Sequence, residues 1–250
     1  GGNLNVGILP VSRYPTTLSY SHSDSRSDGN FTGADLVRDR LGLTSTAIIS
    51  SDLRTLLAAS YEVVDQPEFG LEERRNANLS VNKTFDRDRI ALDLRIDDAT
   101  FESTAHDDID ETDLIGTARY DSFWNDEITS QTTTSAIYTE ESTNSQDLNE
   151  IIVQGTTTAQ WRPKTKPYTA NAALRTLSED IEVDSTTSTG QGTTAETDRL
   201  LAVGTLGFNY PVNEQLATNL GLTAQAESVN RDVGSITSEE TSTSSKTYSS

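Results

Sequence analysis

Apolar side chains recur at every second position in a series of short runs along this chain. The clearest pair lies between Asn76 and Asp98. Ala77, Leu79, Val81 and Phe85 alternate with Asn78, Ser80, Asn82 and Thr84; after Asp86-Arg87-Asp88-Arg89 the pattern resumes with Ile90, Leu92, Leu94 and Ile96 against Ala91, Asp93, Arg95 and Asp97. Successive side chains of a strand point to opposite faces, whereas an amphipathic helix would place apolar residues at i, i+3, i+4 and i+7. The two runs therefore predict a β-hairpin with one apolar and one polar face, interrupted only by Lys83.

The same unit recurs. Leu4, Val6 and Ile8 pair in pattern with Thr16, Leu18 and Tyr20 across Pro10 to Pro15, and Leu41, Leu43 and Ala47 with Thr55, Leu57, Ala59, Tyr61 and Val63 across Ser50-Ser51-Asp52. Leu114, Gly116, Ala118 and Tyr120 precede a turn at Phe123 to Asp126 and a Thr-rich return from Ile128 to Tyr138. Ile151, Val153, Gly155, Ala159 and Trp161 precede a turn at Arg162 to Pro167 and a return through Tyr168, Ala170, Ala172 and Leu174. The sixth pair runs from Leu200 to Tyr210 and from Leu216 to Ala226. Short turns near residues 10, 50, 85, 123, 161 and 210 alternate with polar stretches at Asp24–Asp39, Asp65–Arg74, Ala99–Glu111, Glu140–Glu150, Ser185–Asp198 and beyond Ser228, which read as long loops. The expectation is an all-β, up-and-down antiparallel meander of about twelve strands.

Hydrophobic residues make up only 33% of the 250, too few for a thick sandwich interior but suited to a thin apolar belt around a polar lumen. Aromatic residues gather at strand ends: Phe85, Tyr120, Phe123, Trp124, Trp161, Tyr168, Phe208 and Tyr210 beside short turns, Tyr20, Tyr61, Phe101 and Tyr138 toward the other end. Two aromatic girdles at two water interfaces give that distribution. Basic residues (Arg13, Arg54, Arg87, Arg89, Arg162, Lys164, Lys166) lie at or near short turns, and the opposite end carries acid.

The formal net charge of -20 argues against nucleic acid as a partner. With no cysteine there is no disulfide, thiolate metal site or haem attachment. A chain that starts Gly1-Gly2 and has no methionine predicts that residues 1–250 form one barrel segment of a longer protein. No run of 18 apolar residues is present, which rules out a transmembrane helix but not transmembrane strands of about 10 alternating residues.

In this pattern, and in Asn209-Tyr210-Pro211-Val212-Asn213-Glu214-Gln215-Leu216 as a periplasmic-type turn, the sequence resembles Gram-negative outer-membrane β-barrel proteins. The resemblance implies a transmembrane barrel in the bacterial outer membrane, surrounded by outer-membrane lipid. The function it implies is that of a porin-like channel or of a conduit around a plug or a periplasmic or extracellular protein partner, such as a cytochrome, and not of an enzyme. The alternative class is a soluble or surface-attached all-β structural or adhesion protein whose apolar faces pack on one another.

The polar face is the candidate functional surface. By alternation Arg54, Glu62, Arg89, Asp93, Arg95, Arg119, Asp121 and Arg175 line the lumen. The acidic run His106 to Asp113 offers Asp107, Asp108, Asp110 and Asp113 as hard oxygen ligands for calcium, although it lacks EF-hand spacing. No GxSxG, HExxH or phosphate-loop motif is present, and Gly190-Gln191-Gly192 reads as a spacer.

Overall fold

The structure, a computed structural model, describes residues 1–25, 36–66, 70–103, 108–186, 192–213, 216–235 and 241–247. Its strands are β1 (Gly2–Ile8), β2 (Thr16–Ser25), β3 (Leu36–Ile48), β4 (Leu53–Gln66), β5 (Gly70–Thr84), β6 (Asp88–Ser103) and β7 (Ile109–Phe123). They continue as β8 (Ile128–Thr143), β9 (Gln146–Trp161), β10 (Thr169–Thr186), β11 (Gly192–Asn213), β12 (Leu216–Ser235) and β13 (Thr241–Thr247). All thirteen lie side by side in sequence order in one sheet, each antiparallel to the next, with β1 and β13 at its edges. The six hairpins expected from the sequence are β1/β2 through β11/β12, and β13 adds a strand to the twelve.

Direct cross-strand partners share a face, so the register carries one face across the whole sheet. Leu18, Leu43, Ala59, Ala77, Ile96, Leu114, Tyr138 and Ile151 are linked partner to partner from β2 to β9. The row continues on the same face of β10 and β11 as Leu174, Ala172, Leu200 and Leu206. Where β9 and β10 pair around Ile151 to Gln154, Ile151, Val153 and Ser178 of this apolar face are exposed, while Ile152, Gln154, Leu177 and Glu179 of the other face are half-buried. The sheet therefore curls with its apolar face convex and its polar face concave.

Among the described residues nothing packs on the convex face. Among the described residues only Val64 and Ser122 are buried, and Leu57, Leu94, Leu174, Leu206 and Leu222 are 41% to 61% exposed. A compact chain of 27.2 kDa exposes about 11,000 Å² by the size scaling of folded monomers. This one exposes 17357 Å².

The polar stretches differ from their expected form. Strands reach Gln66 and restart at Gly70, reach Ser103 and restart at Ile109, and reach Thr143 and restart at Gln146. They also reach Thr186 and restart at Gly192, and β12 runs on to Ser235. The unequal loop lengths expected at the two ends are thus largely unequal strand extension: one end of the sheet runs well past the apolar band. The reason is that the convex face turns from apolar to polar there, so the contrast of apolar against polar sides that marks the band is lost or inverted. Ile181 and Val183 show the mechanism, because the register puts them on the concave face, with Asp180, Glu182 and Asp184 on the convex face. The acidic face has replaced the apolar one without a break in the strand. Gly70 begins β5 with φ 135°, and a Cβ there would meet the Glu102 carbonyl oxygen at 1.9 Å, so this re-entry requires glycine.

The Thr-rich return is also a full strand. β-Branched threonine suits a pleated strand, and on the convex face Thr132 and Thr157 satisfy each other's hydroxyls at 3.2 Å.

Engineered cysteine pairs report register without background, since the chain has no cysteine. Glu140 and Asn149 are partners in the extended part of β8/β9. An E140C/N149C variant should oxidise to a disulfide that shifts on a non-reducing gel, and E140C/L148C, with side chains on opposite faces, should not. Equal cross-linking of both would contradict extension of the strands through this stretch.

Candidate functional site

The register puts Arg54, Glu62, Arg89, Asp93, Arg95, Arg119, Asp121 and Arg175 on one face, the concave one. A strand with period two places charges two residues apart side by side on that face, and the ion pairs follow this spacing. Arg119 Nε donates to both carboxylate oxygens of Asp121 at 3.0 Å. Arg95 likewise contacts Asp97, and Arg74 contacts Glu72. Other pairs cross strands: Arg38 lies 2.7 Å and Arg40 3.8 Å from Glu62, whose side chain is only 14% exposed. Arg199 bridges Glu179 at 3.6 Å and Glu227 at 3.0 Å, which ties β10, β11 and β12. Arg54, Arg89 and Arg175 make no ion pair among the described residues. The partners Arg38, Arg40, Glu72, Arg74, Asp97, Glu179, Arg199 and Glu227 went unnoticed in the sequence, although the i,i+2 opposite-charge pattern was there for Glu72/Arg74 and Arg95/Asp97.

Near the short turns the concave face hollows into a cleft of about 780 Å³ lined by Arg89, Arg119, Asp121, Gln131, Gln160 and Asn171 among others.

The convex face has its own boundaries. Ile128 to Tyr138, Ile151 to Trp161 and Leu200 to Tyr210 each cover ten residue steps between outward positions. At about 3.3 Å per residue and a strand tilt of about 40°, that is roughly 25 Å of height, the thickness of an apolar band in a membrane barrel. The band ends in tyrosines and tryptophan. Tyr120 donates its hydroxyl to Asp88 at 3.0 Å on one border; Tyr20 to Asp39 at 2.7 Å and Tyr138 to Glu140 at 3.0 Å do so on the other. Each ring lies with the apolar side chains and each hydroxyl turns to charge. Tyr168 stands edge-on to Trp161 at 5.3 Å and 5.6 Å from Phe208. Phe101, expected in a girdle, is on the concave face instead, because its position on β6 has the opposite parity to Ile96.

Among the described residues of the acidic run, Asp108, Asp110 and Asp113 do not gather at one point. Asp107 and His106 lie outside the described residues. Asp108 accepts the Ser103 backbone N–H at 3.0 Å, and Asp110 and Asp113 point to opposite faces of β7 because they stand three positions apart. One ion cannot take both. Asp113 accepts a 2.6 Å hydrogen bond from the Thr139 hydroxyl.

A different group of carboxylates converges: Asp180, Glu196 and Asp198, exposed on the convex face beyond the band. Asp180 opposes Asp198 and Glu182 opposes Glu196 in register. Repulsion from Asp198 first, then desolvation and the charges of Asp180, Glu182 and Asp232, raises the Glu196 carboxyl above its usual range.

No protein-family model matches the chain, and no curated protein matches it. Among solved structures it is similar to the ferric citrate transporter FecA in its unliganded form, with a TM-score of 0.47 and 11% identity over 92% of this chain and 52% of that one. The chain thus spans about half the length of that structure.

A raised folded-state pKa favours the protonated form on folding, so the Glu196 contribution to stability is present at low pH and fades as pH rises through the raised value. Glu196→Gln should flatten the fall in melting temperature between the usual carboxylate range and neutrality and raise it at pH 7. Superimposable pH–stability curves for the two proteins would contradict the repulsion.

Proposed function

We propose that the chain forms the wall of an outer-membrane β-barrel that lets polar solutes pass as a porin-like channel or sheaths a partner protein, and that it carries out no chemistry of its own. The observation that carries this reading is the uncovered apolar face: a continuous convex band, roughly 25 Å tall and bordered by hydroxyl-bearing aromatics, opposite a concave face of charges and amides. No helix among the described residues is long and apolar enough to cross a membrane; here the strands would cross. β1 and β13 run in the same direction, so an antiparallel closure of the wall takes an odd number of further strands.

The alternative, a soluble or surface-attached adhesion protein, needs a second layer to cover the apolar face, and the described strands all lie in one sheet. The acidic strand extensions suit the outer, water-facing end, where negative charge keeps an exposed surface soluble.

Extraction should need detergent, and the native protein should run differently in SDS with and without boiling, with conductance steps after reconstitution in a planar bilayer. Solubility in plain buffer without a mobility shift would remove the membrane reading. A position-specific version uses Leu94, whose side chain on the convex face lies over Gly116. Leu94→Lys should destabilise the protein in lipid by about 2–4 kcal/mol, the cost of a Lys near mid-bilayer, and Ser80→Lys on the concave face by far less. Equal costs at both sites would contradict a lipid-facing convex surface.

A further inference from the structure

We infer that the concave cleft beside the short turns is a binding site for small hydroxylated monocarboxylates, with Arg89 as the carboxylate anchor. The inference rests on the barrel reading, since it treats the cleft as part of the lumen, and it adds a substrate class to it.

Three observations converge. First, the cleft measures about 780 Å³, within the range of small-molecule sites. Second, its cations are not equivalent. Asp121 is the register partner of Arg89, yet both its carboxylate oxygens accept from Arg119. Gln131, with its amide turned so that the oxygen faces Arg119, accepts from the same guanidinium at 2.9 and 3.0 Å. At the rim Arg87 donates to the Trp124 carbonyl at 3.3 Å, beside Asp86, and Asp88 belongs to the convex face, where it accepts from Tyr120. Arg89 is therefore the one guanidinium in the cleft without an acceptor among the described residues. Third, the remaining wall is neutral and rich in hydrogen-bonding groups, from the amides of Gln160 and Asn171 to the hydroxyls of Thr129 and Thr158.

These features select a ligand. A guanidinium fork matches a carboxylate in a bidentate manner. One free cation with a neutralised neighbour suits a single negative charge better than a phosphate dianion or a tricarboxylate. Amides and hydroxyls on the facing strands β8 to β10 would take the hydroxyls of a sugar-acid chain. In a protein of net charge -20, an unpaired arginine on the concave wall also gives a passing anion a local stopping point.

The test uses the full chain in detergent, with sodium gluconate as probe and sorbitol as its uncharged counterpart. Gluconate should bind by titration calorimetry and reduce single-channel current, and sorbitol should do neither at the same concentration. Arg89→Gln should weaken gluconate binding at least about tenfold, the effect of losing a charge-assisted bidentate pair. Arg13→Gln, a charge-matched change in the β1/β2 turn, should leave it unaltered. A preparation that shifts on boiling and conducts, but binds gluconate equally with and without Arg89, overturns the site and leaves the barrel standing. Sorbitol binding as strong as gluconate overturns it too. A protein that neither shifts on boiling nor conducts overturns the barrel reading and the lumen site with it.

Discussion

A one-layer sheet with an apolar face has to have something laid against that face, and the rest of this structure follows from the fact that none of its described strands is. The hydrophobic contribution of a buried Leu or Ile is about 1.5–3 kcal/mol relative to exposure. In this sheet Leu57, Leu94, Leu174, Leu206 and Leu222 collect little of it from their own chain. What the chain does supply internally is backbone pairing, strand to neighbouring strand from β1 to β13. That is the arrangement a bilayer demands, because lipid offers no partner for an unpaired N–H or C=O.

The two faces divide the remaining work. On the convex side small residues alternate with large ones, as where Leu94 covers Gly116, and threonines on neighbouring strands pair their hydroxyls. Its borders are set by tyrosines whose hydroxyls reach Asp39, Asp88 and Glu140. On the concave side charges neutralise one another along and across strands. Exposed pairs of this kind stabilise a fold by little; their effect is to leave a wall with few uncompensated charges. Against that wall, the unpaired state of Arg54, Arg89 and Arg175 becomes informative.

Much of this was legible in the sequence, and the parts that were not share a cause. Alternation gave the six hairpins and placed Arg54, Glu62, Arg89, Asp93, Arg95, Arg119, Asp121 and Arg175 on one face, because each strand within the band contrasts an apolar with a polar side. Beyond the band the contrast disappears. Asp180, Ile181, Glu182 and Val183 still alternate, but with apolar residues inward and acid outward, so the stretch reads as the fading of a strand. β13, built from Thr, Ser and Lys, has no apolar side at all. Carboxylates follow the same rule: the described part of the acidic run is divided between two faces once it becomes β7, while carboxylates distant in sequence, Asp180 and Asp198, meet. The cleft around Arg89 depends on which donor Asp121 accepts from, and no spacing rule states that.

The most direct test of the central claim is residue-by-residue accessibility of single cysteines placed along β5 and β6 in the reconstituted protein, spin-labelled and challenged with a lipid-soluble and a water-soluble relaxing agent. The account predicts a period of two: labels at Leu79, Val81, Leu92 and Leu94 meet the lipid-soluble agent, and labels at Ser80, Asn82, Ala91 and Asp93 meet the water-soluble one. Water accessibility on both faces, or shielding of the apolar positions from both agents, would contradict a lipid-facing convex surface.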